Sequence, residues 1–481
     1  MKLKELLQGI PVLSATADMD MEISGVSYDS RSTAVGDLFV AVTGYAVDGH
    51  RFIPIAAEKG AAAVLCEKIP EGEIPYVQVE NTRRGLAVLG LNWFGHPAKE
   101  MTLVAVTGTN GKTTTTYLLK SVLEQNLGAK VGLIGTNQNM IGEEVIPTER
   151  TTPESFEVQR LFRRMADAGC SHVVMEVSSH ALAEDRVYGV DFAVGMFTNL
   201  TQDHLDFHKT MENYCDTKAL LFRQCGVGII NADDAWAELL MKDATCRRVD
   251  FAEKANAALR AENITLAADH VAYDAVSAEE RVSVFVPIPG GFNVYNTLGV
   301  IAAAKELGVS LEQAAATLRN VGGVKGRVEV VPTPGMDCTV LIDYAHSPDG
   351  LENVLKSAKG FAKGRVVALF GCGGDRDATK RPIMGRIAAE LADFVIVTSD
   401  NPRTEEPMAI IRDILPGLEG MDTPHTVVEN RVEAIHYALA HAQKDDVIVL
   451  CGKGHETYQE IHHVKHHLDE REVVADFLKK H

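Results

Sequence analysis

Continuous apolar runs alternate with amphipathic stretches through the middle of the chain. Residues 103–106, 173–177 and 227–230 are almost wholly apolar, which is typical of strands buried on both faces of a sheet. Helix-like stretches such as residues 155–168 lie between them. From about residue 99 to 325, this alternation of strands with helices predicts a layered α/β fold with a mostly parallel sheet.

The flanking parts of the chain show two further α/β patterns. Before the His96-Pro97 pair, short β-type runs are separated by Gly and Pro turns. In the last third, short strands again alternate with helical patterns, as in a doubly wound, Rossmann-like domain. We therefore predict three domains, at residues 1–98, 99–325 and 326–481. The strands expected in the outer two domains are residues 38–42, 63–66, 76–79, 340–343, 365–370, 394–398 and 446–450.

Length and charge narrow the range of functions. At roughly 150 residues per domain, a chain of 481 residues suits three domains. The 47 Lys and Arg against 66 Asp and Glu give a net charge of −19, which repels nucleic-acid backbones and anionic lipids. No run approaches the roughly 20 apolar residues that span a bilayer. We expect small-molecule substrates, no nucleic-acid partner and no membrane insertion.

The N-terminal sequence and the cysteines predict a cytoplasmic protein. The first apolar run is too short for a signal peptide and is interrupted by Glu5. The 8 cysteines are scattered and form no C-x-x-C pair, which argues against a zinc knuckle. We therefore expect reduced thiols and a cytoplasmic location.

The strongest local signal is VTGTNGKTT at residues 106–114, directly after a predicted buried strand and before a helix. Backbone N–H groups of a glycine-rich turn and of a helix N-terminus can bind one anion together. Lys112 adds a charge for the outer phosphates, and the Thr113 hydroxyl is suited to ligate Mg²⁺. The match to G-x-x-x-x-G-K-[ST] is imperfect, because Val106 replaces the first glycine. We predict that the loop binds ATP or another nucleoside triphosphate.

Two further segments place metal-binding side chains at neighbouring strand ends. Glu176 ends one predicted strand, and His204 follows another. A carboxylate and an imidazole beside the phosphates could complete the coordination of Mg²⁺, although each residue alone is more often a capping or hydrogen-bonding group. Next to a phosphate loop, we favour metal binding.

Three polar loops follow predicted strands of the third domain. Residues 370–377 fail the dinucleotide pattern G-x-G-x-x-G because Arg376 occupies the last glycine position, so we reject NAD as a ligand. The loops at 399–403 and 452–456 present carboxylates, an amide and a guanidinium. An arginine that grips a carboxylate, with acids for an ammonium, suits a zwitterionic amino-acid substrate. The histidine pairs within residues 460–468 are interpreted as exposed positions of a strand pair and not as a metal site.

Taken together, the motifs resemble the Mur ligase family along nearly the whole chain. The resemblance implies an N-terminal UDP-sugar-binding domain, a central ATPase domain and a C-terminal Rossmann-like domain that binds the incoming amino acid. The motifs that support it are, in chain order, DSRSTAVGDLFVAVTG, VTGTNGKTTTT, MEVSSH, TNLTQDHLDFH, YCDTKALLF, GFNVYN, GRVEVV, DYAHSPDGL, SDNPRTEEP and GKGHE.

The implied activity is ATP-dependent amide-bond formation in the synthesis of a peptidoglycan precursor. The D-glutamate of UDP-N-acetylmuramoyl-L-alanyl-D-glutamate is expected to receive meso-2,6-diaminopimelate through an acyl phosphate, in a monomeric enzyme that uses ATP and Mg²⁺. Alternatives in the superfamily are an L-lysine-adding ligase, a ligase adding D-Ala-D-Ala and a folylpolyglutamate synthetase. A nucleotide-dependent switch is the alternative from another class. Glu176, His204 and Lys218 argue against it, because a switch needs no second metal clamp.

The resemblance also implies roles for individual residues. Lys218 matches a lysine that reacts with CO₂ to give a carbamate (N6-carboxylysine), an anionic oxygen donor that could bridge metals. The implied catalytic residues are Lys112, Glu176, His204 and Lys218, and the implied Mg²⁺ ligands are Thr113, Glu176, His204 and carbamylated Lys218. Binding of ATP is implied for Gly108, Thr109, Asn110, Gly111, Lys112, Thr113, Thr114, Thr115, Asn293, Arg327, Asp343 and His346. Binding of the UDP-dipeptide is implied for Tyr28, Ser30, Tyr45, Ala46, Val47, Thr151, Thr152, Ser178, Glu184 and Arg186. Binding of diaminopimelate is implied for Arg376, Asp400, Asn401, Pro402, Arg403, Gly452 and Glu456.

Glu184 and Arg403 bear on the choice of substrate, and Arg327 and Asp343 bear on the movement of the third domain. Glu184 stands where many family members have Gln, and a carboxylate there repels an anionic substrate unless it is paired or protonated. Arg403 matches the diaminopimelate-adding pattern. The physical reason is that a guanidinium can bind the second carboxylate of diaminopimelate, whereas it repels the ammonium of lysine. Since Arg327 and Asp343 lie outside the phosphate-loop domain, we expect the third domain to close over the second when ligands bind.

Overall fold

A computed structural model of the chain describes residues 1–44, 47–148, 150–267 and 269–480, with only the backbone of Asp206. Three α/β units follow one another along the sequence, each built around its own sheet. The predicted three-domain α/β fold is therefore confirmed, while the limits at residues 98 and 325 remain predictions. Throughout the described ranges, no helix is both long and apolar enough to cross a membrane.

The N-terminal unit has a five-stranded sheet covered by helices. Its elements are α1 (Leu3–Leu6), β1 (Val12–Ala15), β2 (Gly25–Ser27), β3 (Asp37–Val40), α2 (Ile53–Glu58), β4 (Ala63–Cys66), β5 (Tyr76–Val79) and α3 (Thr82–Phe94). The strand order is β1-β5-β4-β3-β2, and only β1 runs antiparallel to its neighbour. The strands predicted at 63–66 and 76–79 coincide with β4 and β5.

The central unit contains an 11-stranded sheet. Its elements are β6 (Thr102–Thr107), α4 (Lys112–Leu127), β7 (Val131–Ile134), β8 (Asn139–Ile141), β9 (Glu144–Ile146), α5 (Ser155–Asp167), β10 (His172–Glu176), α6 (Ser179–Ala183), β11 (Phe192–Phe197), α7 (Leu205–His208), α8 (Met211–Ala219), β12 (Cys225–Asn231), α9 (Ala237–Met241), β13 (Arg247–Ala252), β14 (Leu259–Leu266), β15 (Val271–Val276), β16 (Arg281–Val286), α10 (Phe292–Glu306) and α11 (Leu311–Leu318). The strand order is β16-β15-β14-β13-β12-β11-β6-β10-β7-β8-β9. The strands from β14 to β7 in this order pair in parallel, and antiparallel strands extend both edges.

The predicted alternation of strands with helices is wrong between residues 247 and 286. There β13, β14, β15 and β16 follow one another with no helix between them. The strand β15 alternates buried and partly exposed residues, as expected of a strand with one solvated face. Such strands lack the continuous apolar runs that are typical of buried parallel strands. The sequence pattern therefore did not indicate that consecutive strands lie between residues 247 and 286.

The C-terminal unit contains a six-stranded sheet and a separate hairpin. Its elements are β17 (Glu329–Val331), β18 (Thr339–Asp343), α12 (Pro348–Phe361), β19 (Val366–Phe370), α13 (Lys380–Leu391), β20 (Phe394–Val397), α14 (Pro407–Ile414), β21 (His425–Val427), α15 (Arg431–Ala440), β22 (Val447–Cys451), β23 (Tyr458–Ile461), β24 (Val464–His467) and α16 (Glu470–Lys480). The sheet order is β17-β18-β22-β19-β20-β21, and only β17 is antiparallel to its neighbour. The strand pair predicted within residues 460–468 is confirmed as the β23–β24 hairpin.

The central sheet is covered on both faces, and this burial positions the phosphate loop. Alternate residues of β6 enter different hydrophobic clusters, with Val104 and Val106 on one side and Leu103 and Ala105 on the other. In the sheet, β6 lies between β11 and β10, whose carboxyl ends therefore flank the loop that follows it. The described chain also contains short 3₁₀ helices at Gly49–Phe52, Pro97–Glu100, Leu220–Arg223 and Leu415–Gly417.

Candidate active site

The phosphate loop occupies the turn between β6 and α4, as predicted from the sequence. Gly108 and Gly111 have φ angles of 145° and 85°, a region that side chains other than glycine rarely adopt. A Cβ at Gly108 would overlap the Thr198 hydroxyl, and one at Gly111 would overlap the Asn296 amide. The loop is therefore held between the end of β11 and the first turns of α10, with backbone N–H groups at the start of a 16-residue helix.

Two lysines meet at the backbone of this loop. The Nζ of Lys112 donates to the carbonyls of Gly108 and Thr109 at 2.9 and 2.7 Å. The Nζ of Lys218, a residue only 1% exposed, donates to the Gly108 carbonyl at 2.9 Å. Burial, reinforced by the charge of Lys112, lowers the pKa of Lys218 well below its ordinary value. A neutral amine is the nucleophile that carbamylation requires, so its position and environment fit the predicted modification.

The carboxylate of Glu176 is fully buried at the end of β10. Its two oxygens accept hydrogen bonds from the backbone N–H and the hydroxyl of Thr136 at 2.8 and 3.0 Å. The Thr136 hydroxyl also contacts the Thr151 hydroxyl at 3.0 Å, and Thr152 donates to the backbone carbonyl of Glu176 at 2.9 Å. A short hydrogen-bonded chain thus links the predicted metal ligand to two residues predicted to bind the dipeptide.

The remaining predicted metal ligands lie around the same edge of the sheet. Thr113 is buried in the first turn of α4, and its hydroxyl accepts from Nη2 of Arg327 at 3.3 Å. The Nε2 of His204 lies 3.4 Å from an oxygen of Asp203, and its ring packs 4.9 Å from that of His180. Among the residues that the structure describes, no three His, Cys, Asp or Glu side chains converge as a metal site. With the predicted carbamate on Lys218, the hydroxyl, the carboxylate and the imidazole would form an oxygen-rich set of donors that suits Mg²⁺.

The residues predicted to contact ATP come from the central and the C-terminal unit. Asn293 is buried near the start of α10 and donates to the Pro289 carbonyl at 2.7 Å. Asp343 ends β18 and accepts from two backbone N–H groups at 2.8 Å each, while burial raises the pKa of its carboxyl against the opposing effect of Arg327. The exposed His346 lies three residues further on, where Nδ1 contacts the Tyr344 carbonyl at 2.8 Å. The other predicted ATP contacts, Thr109, Asn110, Thr114 and Thr115, belong to the loop and the first turns of α4.

One carboxylate that the sequence did not single out also joins the C-terminal unit to this loop. An oxygen of Asp349, in the first turn of α12, accepts from the Asn110 amide at 2.7 Å and from the Thr201 hydroxyl at 2.9 Å. With the bond between Arg327 and Thr113, this contact brings the third unit against the phosphate loop. Closure of the units on ligand binding remains a prediction.

The residues predicted to bind the dipeptide cluster where the N-terminal and central units meet. Arg186 donates to the Thr152 carbonyl at 2.9 Å, and the Ser178 N–H donates to the Thr152 hydroxyl at 3.1 Å. Glu184 is paired, because its carboxylate accepts from Nη2 of Arg186 at 2.5 Å. The repulsion that the sequence suggested is therefore compensated within the protein.

The predicted sugar-binding positions are less closely connected. The Tyr28 hydroxyl donates to Glu157 of α5 at 3.2 Å, which ties the N-terminal unit to the central one. Ser30 is buried and Val47 is exposed. Tyr45 and Ala46 lie outside the described residues.

The loops after β20 and β22 form one connected polar network. The Asn401 amide donates to Glu456 at 3.0 Å, and the fully buried Lys453 lies 3.1 Å from Glu456 and 3.6 Å from Asp400. Although burial opposes it, the charges of Lys453 and Arg431 lower the pKa of Asp400. The Oδ2 of Asp400 is buried and finds no hydrogen-bond partner among the described residues. Gly452 completes the loop with a φ of 113°, where a Cβ would overlap the Asp400 carboxylate.

Arg403 lies at the rim of this network and Arg376 lies outside it. Nη1 of Arg403 donates to the Gly374 carbonyl at 2.7 Å, and Nε lies 3.3 Å from the Glu460 carboxylate. The backbone of Arg403 also exchanges hydrogen bonds with the β23–β24 hairpin, accepting from His462 at 2.7 Å and donating to Glu460 at 3.0 Å. Arg376 is exposed, and its guanidinium contacts the carbonyl of Asp375.

Several residues of the site escaped sequence reasoning. Lys453 lies within the GKGHE motif, so its position was visible although its buried role was not. Asp349 likewise lies within the DYAHSPDGL motif, but its contact with the phosphate loop was not visible in the sequence. Thr136 and Glu460 reach the site through contacts between elements distant in sequence, and no quoted motif contains them.

The chain matches three domain descriptions of one protein family. They are "Mur ligase family, catalytic domain" at residues 22–90, "Mur ligase middle domain" at 106–304 and "Mur ligase, glutamate ligase domain" at 326–454.

Curated relatives match over the full length of the chain. The UDP-N-acetylmuramoyl-L-alanyl-D-glutamate–2,6-diaminopimelate ligase 1 of Clostridium acetobutylicum is 47% identical over 484 residues, and 100% of both chains is covered. A ligase with the same name, without the numeral, from Clostridioides difficile is 44% identical over 485 residues, again with 100% of both chains covered.

Solved structures share the same architecture. A UDP-N-acetylmuramoyl-L-alanyl-D-glutamate–2,6-diaminopimelate ligase superposes with a TM-score of 0.72 at 31% identity, covering 100% of this chain and 99% of the other. The MurF ligase of Thermotoga maritima in complex with ADP gives a TM-score of 0.62 over 95% and 97% of the two chains. At 18% identity, this second likeness shows the fold alone.

Proposed function

The chain belongs to the Mur ligase family, and from that premise we propose that it joins meso-2,6-diaminopimelate to the D-glutamate of UDP-N-acetylmuramoyl-L-alanyl-D-glutamate at the expense of ATP. This reaction supplies a cell-wall precursor. The observation that supports it most is the hydrogen-bonded chain from Glu176 through Thr136 to Thr151, because it joins the phosphate-loop edge to the predicted dipeptide site. A reacting carboxylate held there would lie beside the transferring phosphoryl group.

The chemistry begins with a carboxylate that is a poor electrophile. Transfer of the γ-phosphoryl group to the D-glutamate side chain gives an acyl phosphate, and attack by the incoming amine releases phosphate through a tetrahedral intermediate. The phosphate loop and Lys112 hold and neutralise the phosphates during the first step, and Arg327 approaches them from the C-terminal unit. The protein therefore works mainly by positioning and neutralising anions.

Thr113, Glu176, His204 and carbamylated Lys218 are proposed to hold Mg²⁺. When bound, the metal neutralises charge on the phosphates and on the group being transferred. Support for the carbamate comes from the burial of Lys218 beside Lys112 at the Gly108 carbonyl, a site that disfavours an ammonium. Incubation with ¹³C-labelled bicarbonate should give a carbamate carbon signal in NMR spectra of the wild type, and Lys218→Met should lose it. A wild-type spectrum with no such signal would contradict the modification.

Specificity for diaminopimelate is proposed to rest on Arg403. Arg403 lies on the same loop as Asp400, and Asn401 of that loop donates to Glu456. We infer that the acidic side chains hold an ammonium of the incoming amino acid and that Arg403 holds a carboxylate of the same molecule. The L-lysine-adding ligase is the nearest alternative, but lysine offers an ammonium where Arg403 offers another cation. The pairing of Arg403 with Glu460 keeps that alternative open to experiment, because it offsets part of the positive charge.

The ligase and the nucleotide-dependent switch differ in what ADP release requires. A ligase should release ADP only when ATP, the UDP-dipeptide and the amino acid are all present. A coupled ADP assay with each component left out in turn therefore tests the proposal. ADP release that ignores both the dipeptide and the amino acid would favour the switch.

We further propose that the enzyme acts in the cytoplasm and as a monomer. The absence of a spanning helix from the described parts of the chain agrees with a protein whose substrates are water-soluble nucleotides and amino acids. Light scattering at working concentration tests the oligomeric state. A mass near 52.1 kDa is expected, and a stable dimer would overturn that part of the proposal.

A further inference from the structure

Two arginines from different units meet beside the proposed dipeptide site. Arg83 lies in the first turn of α3, and Arg186 follows α6 in the central unit. Their side chains are only 16% and 12% exposed. Both flank the carboxylate of Glu184, at 3.5 Å from Nη2 of Arg83 and 2.5 Å from Nη2 of Arg186.

Neither guanidinium is saturated with hydrogen bonds. Nη1 of Arg83 and Nε of Arg186 are buried without a hydrogen-bond partner among the described residues. Each lies 3.8 Å from the same oxygen of Glu154, which is beyond hydrogen-bonding range, and Nη1 of Arg150 lies at the same distance. Three guanidinium groups thus face the carboxylates of Glu154 and Glu184, which leaves one positive charge in excess.

This surplus charge adjoins the proposed substrate. Arg186 donates to the Thr152 carbonyl at 2.9 Å, and the Thr152 hydroxyl bonds to the backbone of Glu176. Arg83 is held within the N-terminal unit, because its Nε donates to the Thr43 carbonyl at 3.1 Å. Buried N–H groups without partners favour a ligand that brings acceptor oxygens, and charged donors favour a carboxylate.

We propose that Arg83 binds the acidic dipeptide together with Arg186, and that Glu184 is an internal competitor whose place the substrate carboxylate takes. This inference rests on the proposed function. The D-glutamate of the dipeptide has two carboxylates, of which one reacts and the other persists. The persisting carboxylate is the group that Arg83 and Arg186 hold, so the substrate bridges the N-terminal and central units.

Calorimetric titration of the full-length protein without ATP tests this assignment. The two ligands are UDP-N-acetylmuramoyl-L-alanyl-D-glutamate and UDP-N-acetylmuramoyl-L-alanine, which lacks the glutamate carboxylates. Arg83→Gln should weaken binding of the first ligand by about tenfold or more and leave the second within about twofold. Glu184→Gln should tighten binding of the first ligand several-fold and leave the second unchanged.

Arg84→Gln is the matched control. Arg84 is adjacent in sequence and pairs with Asp185 at 3.3 Å, but its side chain is 56% exposed. It should leave both affinities unchanged, and circular dichroism checks that each variant is folded. Glu184→Gln is expected to gain affinity for the dipeptide. It therefore tests the competitor role of Glu184 even if the Arg83 variant does not fold.

The outcomes separate this inference from the proposed function. Equal weakening of both ligands by Arg83→Gln would reduce Arg83 to a structural role, and weaker dipeptide binding by Glu184→Gln would mean that Glu184 contacts the substrate directly. Either result overturns the inference while the function stands. A wild-type protein that binds neither ligand would overturn the proposed function as well.

Discussion

Arg431 allows a test of how strongly burial increases the contribution of an ion pair to the free energy of unfolding. Its side chain is fully buried at the start of α15, and Nε donates to Glu470 of α16 at 2.9 Å. Nη2 donates to the Cys451 carbonyl at 2.7 Å, directly before Gly452 of the proposed amino-acid site. We predict that Arg431→Leu strongly destabilises the C-terminal unit, because it leaves the equally buried Glu470 without its partner.

The magnitude follows from the burial of both partners. Removing one member of a buried ion pair costs about 3–5 kcal/mol. For a cooperative unit of this size, each kcal/mol lowers the unfolding midpoint by roughly 2–4 °C, so we expect a fall of roughly 6–20 °C. Arg386→Leu is the matched control. The Arg386–Glu390 pair has a 2.8 Å bond, but its side chains are 56% and 51% exposed, so its loss should cost about 0–1 kcal/mol.

Differential scanning calorimetry of the full-length protein measures the difference. The double variant Arg431→Leu with Glu470→Gln should recover part of the loss, because it removes the stranded carboxylate. Equal, small shifts for Arg431→Leu and Arg386→Leu would refute the reasoning. They would show that Glu470 finds another partner or takes up a proton at little cost.

The remaining predictions concern the nucleotide, the amino acid and pH. Asp349→Asn should keep KM for ATP within about twofold, because one amide oxygen can still accept the hydrogen bonds that Asn110 and Thr201 donate, whereas Asp349→Ala should raise KM several-fold. Initial rates measure both values, and equal effects would mean that these hydrogen bonds do not support ATP binding. Arg403→Ala should cut the rate with diaminopimelate by about tenfold or more while titration shows unchanged binding of the UDP-dipeptide; a near-normal rate would refute its role. Burial lowers the pKa of His455 to about 4, from an ordinary value of 6.5. As the pH drops, the unfolded chain therefore takes up a proton at this residue before the folded protein does. The free energy of unfolding should fall between about pH 6.5 and 4, by up to about 3 kcal/mol from His455 alone. Urea unfolding at pH 7 and 5 should show a smaller loss for His455→Gln than for the wild type, and an equal loss would exclude His455 as the cause.

Features that depend on local spacing could be predicted from the sequence. The phosphate loop follows β6 and precedes α4 because Gly108, Gly111 and Lys112 form a compact turn between an apolar run and a helix. The polar loops at the ends of β20 and β22 meet because parallel strands place their carboxyl ends at one edge. These arrangements need only strand order and spacing, which a single sequence can indicate.

Features that depend on long-range packing could not be predicted in this way. Asp349 meets Asn110 across 239 positions, and Tyr28 meets Glu157 across 129. Glu184 is compensated partly by Arg186, two residues along the chain, and partly by Arg83 from another unit, and only the second contact is long-range. Long-range contacts of this kind produce no periodic pattern in the sequence. The sequence therefore indicates which reactive residues a site contains, but not which distant residues contact them.

The most direct test of the central claim is the mass of the product. The enzyme is supplied with ATP, Mg²⁺ and UDP-N-acetylmuramoyl-L-alanyl-D-glutamate, together with equal concentrations of meso-2,6-diaminopimelate and L-lysine. We expect a UDP-tripeptide that contains diaminopimelate, with phosphate released in equal amount. A product that contains lysine would keep the ligase and contradict the role of Arg403, and the absence of any UDP-tripeptide would contradict the proposed function itself.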